Sequence, residues 1–205
     1  MKRRYLIAGS AWLAGCSVLP TREYQQRRDW PLEPRRPSVA PPVRNGRVLQ
    51  VRTMTAAPGL EARGVQWLLK DGSVNVDYYE QWAVPPAQAM EEGLRRWLAE
   101  SGRYAAVIPL GSRVVPDLVL ETELTALVAD PRTGLARAAL ALVLLEPRGD
   151  GARVRLQRTE TAEVRLGGSD AVAIVEALRE AAAAVLGQAE AALHSVLKVG
   201  ISVGN

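Results

Sequence analysis

The stretch "DLVLETELTALVADPRTGLARAALALVLLEPRGDGARVRLQRTETAEVRL", residues 117–166, decides the fold. It holds three long apolar-rich runs separated by two turn signals, Asp130-Pro131-Arg132-Thr133-Gly134 and Arg148-Gly149-Asp150-Gly151. In 117–130, Leu118, Leu120, Leu124 and Val128 fall on one side, with Glu121 and Glu123 on the other. Residues 135–147 are apolar on both faces, as a central strand is. In 152–166, Val154, Leu156, Ala162 and Val164 alternate against Arg153, Arg155, Gln157 and Glu163. Such alternation between tight turns predicts an antiparallel meander.

Upstream of the meander, residues 47–56 alternate as a strand ended by Pro58-Gly59. Residues 65–82 form two β-like runs joined at Asp71-Gly72, a hairpin dipeptide. Pro85-Pro86 opens a helix in which Met90, Leu94, Trp97 and Leu98 share one face; Glu91-Glu92 are placed in its first turn, and Ser101-Gly102 stops it. Residues 104–110 read as a short strand. After Gly167-Gly168, Ser169 and Asp170 offer an N-cap to a final helix over about 170–197. Its stripe is Val172, Val175, Leu178, Ala182, Val185, Ala189, Leu193 and Val196, and its far face is rich in alanine, which suits close packing against another helix or subunit. The tail "VGISVGN" is a candidate last strand. The order β-β-β-α-β-β-β-β-α predicts an α+β fold, a mostly antiparallel sheet of six or seven strands with two helices packed on one face.

The amino terminus is of a different kind. Lys2-Arg3-Arg4 precede a short apolar run, Tyr5 to Trp12, too short to span a bilayer, which takes about 20 apolar residues. The run ends in Leu13-Ala14-Gly15-Cys16, which resembles the lipobox of bacterial lipoproteins, and Cys16 is the only cysteine of the chain. That resemblance implies diacylglyceryl transfer to the Cys16 thiol, cleavage before it and acylation of the new amino terminus, an anchor well beyond the two signals stable attachment needs. Residues 1–15 are then a removed signal peptide. Ser17, in place of an Asp, implies the outer membrane of a Gram-negative cell, on its periplasmic face. Residues 16–46 carry six prolines between 17 and 45 and read as an extended tether of about 3 Å per residue. Tyr24 and Trp30 within it are left to either the body or the lipid interface. Residues 47–205 form the single folded domain.

Charge follows the same division. The net charge is +4, yet from Arg47 onward there are 17 basic and 19 acidic residues. The basic excess belongs to the leader and the tether, so the charge does not describe a nucleic-acid-binding body. A hydrophobic fraction of 48% is ample for a packed core.

No residue constellation supports catalysis. His194 is the only histidine, late in the last helix, and cannot alone build a zinc site. No nucleophile elbow, metalloprotease motif or phosphate loop occurs. Glu121 and Glu123, the one spacing that invites a paired acid and base, share a solvent face where cross-strand ion pairing is the better reading. We therefore expect no enzyme, no cofactor besides the covalent lipid, and no metal.

One segment carries a family resemblance: "VDYYEQWAVPPAQAMEEGLRRWLAESGRYAAVI", residues 76–108. A strand ending in Tyr-x-x-x-Trp, then Pro-Pro, an amphipathic helix, Ser-Gly and an aromatic-led strand resembles the ABC-type transport auxiliary lipoprotein family. Tyr78 or Tyr79, Trp82 and Pro85 fill the family's tyrosine, tryptophan and proline places. The residues themselves suggest packing, with Tyr79 and Trp82 filling the strand-to-helix corner and Pro85 setting the helix start. The resemblance implies an outer-membrane partner of an ABC transporter carrying MCE-domain substrate-binding proteins, which moves lipids or other hydrophobic molecules across the periplasm. Its expected partners are the MCE-domain protein and the ABC transporter subunits. A matching homo-oligomer, with the alanine-rich helix face as its candidate contact, would suit the rings and tubes of MCE proteins. The rival readings are a lipoprotein scaffold or activator of a periplasmic envelope enzyme, a lipid-tethered enzyme, and a carrier holding lipid in a dry cavity between sheet and helices.

Overall fold

The computed structural model describes residues 25–201. Cys16, Tyr24 and the signal segment lie outside them. Nine strands and two helices follow one another: β1 Arg28–Trp30, β2 Val48–Val51, β3 Thr55–Ala56, β4 Gly64–Leu68, β5 Val74–Trp82, α1 Pro86–Glu100, β6 Ala106–Pro109, β7 Leu118–Asp130, β8 Leu135–Arg148, β9 Gly151–Arg165 and α2 Ala171–Ile201. The chain is α+β, as expected, with nine strands in one sheet rather than six or seven.

The meander β7-β8-β9 is antiparallel throughout and forms one wing of the sheet. Its turns are the expected ones. The Asp130 carboxylate accepts from the Arg132 backbone N–H at 3.0 Å, and the Arg132 guanidinium holds the Asp130 pKa down to about 2. The free edge of β7 is shared in series by β2, β3 and β4, all parallel to it. β6 extends the sheet beyond β2, and β5 then β1 extend it beyond β4. The sheet is thus mixed although its longest ladders are antiparallel.

Two β-bulges overrule simple alternation. In β7 the register shifts between Leu124 and Ala126, so Leu127 and Ala129 face the core while Val128 turns outward. In β9 the shift beside Leu144 and Leu145 leaves Arg155 as the extra residue, and Val154, expected inside, is 55% exposed. An extra residue in a strand moves everything beyond it to the opposite face.

Both helices pack on one face of the sheet. α2 lies across β7, β8 and β9, and α1 lies beside β3, β6 and β7. The layer between holds Leu49, Leu118, Leu120, Leu124, Leu140, Leu142 and Leu144, all fully buried, together with Met90, Leu94 and Leu98 of α1. With no Phe in the chain, leucine side chains and two tryptophans supply this volume. Pro85 caps α1, Glu91 and Glu92 fall in its second turn rather than its first, and Ser101 ends it. The Asp170 carboxylate accepts from the Ala173 N–H at 2.9 Å, capping α2 as expected. Val172 is exposed, so the buried stripe begins at Ile174, and the helix runs on through residues 199–201 where a last strand was expected. Ala177, Ala181 and Ala192 of the alanine-rich face are buried within the chain itself. The ridge left to solvent carries Val172, Glu176, Glu180, Ala184 and Gln188.

The proline-rich segment departs most from expectation. It is extended, as its prolines require, but from residue 28 it lies along the body as a strap. β1 pairs in parallel with the end of β5, Leu32 is buried, and the Arg179 Nε donates to the Pro31 carbonyl at 2.8 Å. The Ala40 N–H donates to the Glu100 carbonyl at 2.8 Å, and Trp30 packs on the core. No body boundary therefore falls at residue 46. Gly102, just past α1, has φ +67° and sits where a Cβ would lie 2.7 Å from the Pro41 carbonyl oxygen. Gly102→Ala is expected to cost about 2 kcal/mol, combining left-handed backbone strain with a backbone clash. Urea denaturation of the purified variant checks this.

Candidate functional site

The corner from Tyr78 to Pro85 divides into an inner and an outer half. Trp82 is 1% exposed and belongs to the core, and the Arg63 Nε donates to its carbonyl at 2.7 Å. Pro85, at the N-cap with φ −50° and ψ 135°, starts α1. Both thus have a place in the core or at the helix start. The tyrosines do not. The ladder between β4 and β5 shifts register beyond Val76, and the Asp77 carboxylate accepts the N–H groups of Tyr79 (2.6 Å) and Glu80 (2.7 Å). That local turn swings both rings outward: Tyr78 is 65% and Tyr79 36% exposed, so Tyr79 does not fill the corner. The rings meet edge to face, with centroids 5.1 Å apart, and the Arg27 guanidinium lies 4.5 Å from the centre of the Tyr78 ring. Gly64 makes the turn possible, because a Cβ there would stand 2.5 Å from the Asp77 carbonyl oxygen.

Two buried carboxylates fasten the strap. Glu80 accepts from the Arg28 Nε at 2.9 Å and from the Trp30 Nε1 at 2.7 Å. Glu190, buried in α2, accepts from Arg36 (3.0 and 3.1 Å), from Arg103 Nε (3.0 Å) and from Trp97 Nε1 (2.9 Å). Burial works to raise the Glu190 pKa, but the hydrogen bonds from Arg36, Arg103 and Trp97 outweigh it and hold the carboxyl below its ordinary value. Tyr104 beside it is raised, first by burial and then by the Glu190 charge. Sequence reasoning missed this hub. Its one signal was an acid among the apolar positions Leu186, Ala189 and Leu193.

The other candidates take unremarkable places. His194 stands against Arg103, whose guanidinium lies 2.9 Å from its ring nitrogens. Glu121 pairs with Arg52 at 2.5 Å, in keeping with the ion-pair reading, and Glu123 lies two residues along the same strand. Among the described residues no three His, Cys, Asp or Glu side chains gather as a metal site, and no helix is long and apolar enough to cross a membrane. A groove of about 500 Å³ runs between the strap and α1, lined by Leu32, Ala83, Gln88, Gly93 and Arg96 among others. It lies over α1 rather than between the helices and the sheet, where leucines fill the space.

The described residues form a single mixed sheet with two covering helices and a strap on the amino-terminal side. Residues 30–189 match the ABC-type transport auxiliary lipoprotein component family, and the chain belongs to it. The match begins at Trp30, so most of the strap is part of the family region. This is a transport auxiliary family rather than an enzyme family, and as lipoproteins of ABC transport its members are associated with a membrane of the cell envelope. Among solved structures, the chain is similar to protein XCC0632 from Xanthomonas campestris, of the family DUF330, at 21% identity and a TM-score of 0.65, covering 88% of this chain and 98% of that one. An uncharacterised protein is similar at 15% identity and a TM-score of 0.56, over 74% of this chain and 92% of that one. At these identities the likeness concerns the fold. A comparison with functionally curated proteins gave no match.

Proposed function

We propose that this protein is a lipid-anchored periplasmic accessory of an ABC transport system, attached through Cys16 to the outer membrane, where it docks an MCE-domain component for traffic of lipids or other hydrophobic molecules. Membership of the auxiliary lipoprotein family carries this reading, and the sequence Leu13-Ala14-Gly15-Cys16 supplies the anchor that a lipoprotein requires. The ATP hydrolysis and the membrane passage belong to other chains, so the body acts by binding and positioning. The alternative of a scaffold or activator for an envelope enzyme shares the anchor and differs only in the partner.

The test is a detergent pull-down of the full-length protein from native membranes beside a Cys16→Ala form, read by mass spectrometry. The expected eluate contains an MCE-domain protein and its ATPase, depleted when Cys16 is replaced. An eluate that holds a cell-wall enzyme, or the bait alone, overturns the docking reading.

A further inference from the structure

The geometry points to the outer face of the β4–β5 hairpin, centred on Tyr78 and Tyr79, as a surface that lies against the lipid headgroup layer. The inference rests on the lipid anchor at Cys16. Its first support is the side on which the strap joins the body. β1 runs parallel to β5 with Arg28 opposite Glu80, so the chain enters β1 from the side of Tyr78, over whose ring Arg27 stacks. Because the strap binds the body from residue 28 on, only the residues from Cys16 to Arg27 separate the anchor from the body. Even fully extended, those eleven steps span at most about 40 Å. The free tether expected over residues 16–46 would have reached about 100 Å. An anchor at Cys16 is therefore held within about 40 Å of Arg27, which stands beside the hairpin.

The second support is what the hairpin presents there. Val74, Val76 and Tyr78 of β5 are all exposed, with Leu69 exposed at the turn beside the strand. Next to these sits Tyr79. Paired tyrosines, apolar at the ring and polar at the hydroxyl, suit the boundary between headgroups and acyl chains. Apart from Asp71 at the turn, whose carboxylate accepts from Ser73, the neighbouring acids are taken up by partners. Asp77 is occupied by backbone N–H groups, Asp29 is 2.6 Å from Arg63, and Glu80 is buried against Arg28 and Trp30. Arg27 is left at the rim, where a cation favours anionic headgroups. Among the described residues β1 covers β5 only over Glu80–Trp82, and no other strand pairs with residues 74–79 on this side.

Cysteine-directed fluorescence tests the orientation. Full-length protein carrying Val76→Cys, and separately Val115→Cys, is labelled with a fluorophore and reconstituted in vesicles of phosphatidylethanolamine and phosphatidylglycerol doped with a headgroup spin-labelled lipid. Val115 is a matched control: apolar and exposed, it lies near the start of β7, whereas Trp67 of β4 pairs with Ala129 near its far end, about 36 Å of strand away. The expected result is that the label at 76 loses most of its fluorescence while the label at 115 stays bright, and that adding Tyr78→Ser and Tyr79→Ser restores the signal at 76. Equal quenching at both positions, or none at either, overturns the contact. Protection of position 76 in native membranes but not in protein-free vesicles assigns the face to a protein partner and overturns it equally. The otherwise unchanged protein, whose one cysteine is Cys16, serves as a separate control: uptake of label there contradicts the lipid anchor itself, whatever position 76 shows.

Discussion

Replacing Glu190 with alanine will destabilise the folded protein by about 3 kcal/mol, since it leaves two guanidinium groups and an indole N–H without their shared acceptor. The effect is large because the partners come from three places: Arg36 on the strap, Trp97 on α1 and Arg103 after it. Solvent reaches only a tenth of the Glu190 side chain, so water replaces little of what is lost. Glu190→Gln keeps the size and part of the hydrogen bonding and should cost less. Glu123→Gln, on the half-exposed outer side of β7, should change stability by no more than about 0.5 kcal/mol. Urea denaturation read by tryptophan fluorescence measures all three. The same carboxylate makes the strap sensitive to acid. Its folded pKa lies below the ordinary glutamate value, so its stabilising contribution is complete above that value and is lost as pH falls through the depressed one. Hydrogen–deuterium exchange over residues 28–40, corrected for its intrinsic pH dependence, should rise as the pH drops through this window, and Glu190→Ala should show that exchange already at neutral pH.

Trp82→Ala will cost about 4 kcal/mol, the range for deleting a large buried aromatic. Trp82 ends β5 with its side chain buried in the core, its backbone pairs in register with Trp30 of the strap, and Pro85 starts α1 three residues on. The loss is expected in stability and not in partner recognition as such. Trp82→Phe should recover part of the folding energy, and whatever fraction of that variant remains folded should retain full partner binding. A variant that folds normally and fails to bind would instead make Trp82 a contact residue. The tyrosines are expected to behave in the reverse manner. Tyr78→Ser and Tyr79→Ser remove exposed rings, so stability should hardly change while contact at the hairpin is lost.

The contrast between these residues marks how far a sequence can be read. Local rules sufficed wherever a short stretch carries its own geometry. The Asp130–Gly134 and Asp71-Gly72 turns, the Pro85-Pro86 helix start and the Asp170 cap all formed as their chemistry requires. The same holds for the three long strands, whose period of two places their ends within a residue of where they lie. The family resemblance was also legible, because it depends on residue types at close spacing. Val128 and Val154 were misplaced because a single bulge reverses a strand's faces, and a bulge is settled by the neighbouring strand's ladder rather than by the residues it displaces.

What tertiary structure alone decided is the fate of the polar, proline-rich segment and of the paired tyrosines. By composition, residues 28–46 have too little apolar surface to fold by themselves, and an extended tether follows. They are held instead by acceptors far along the chain, Glu80, Glu100 and Glu190, together with one buried leucine. Tyr78 and Tyr79 share a motif with Trp82, yet a turn built on the Asp77 carboxylate sends them to the opposite side. Composition and periodicity record what a residue prefers. Which buried acid waits for a given arginine, and which way a bulged ring points, depends on contacts between segments separated by as many as 154 residues, and only the folded chain brings those together.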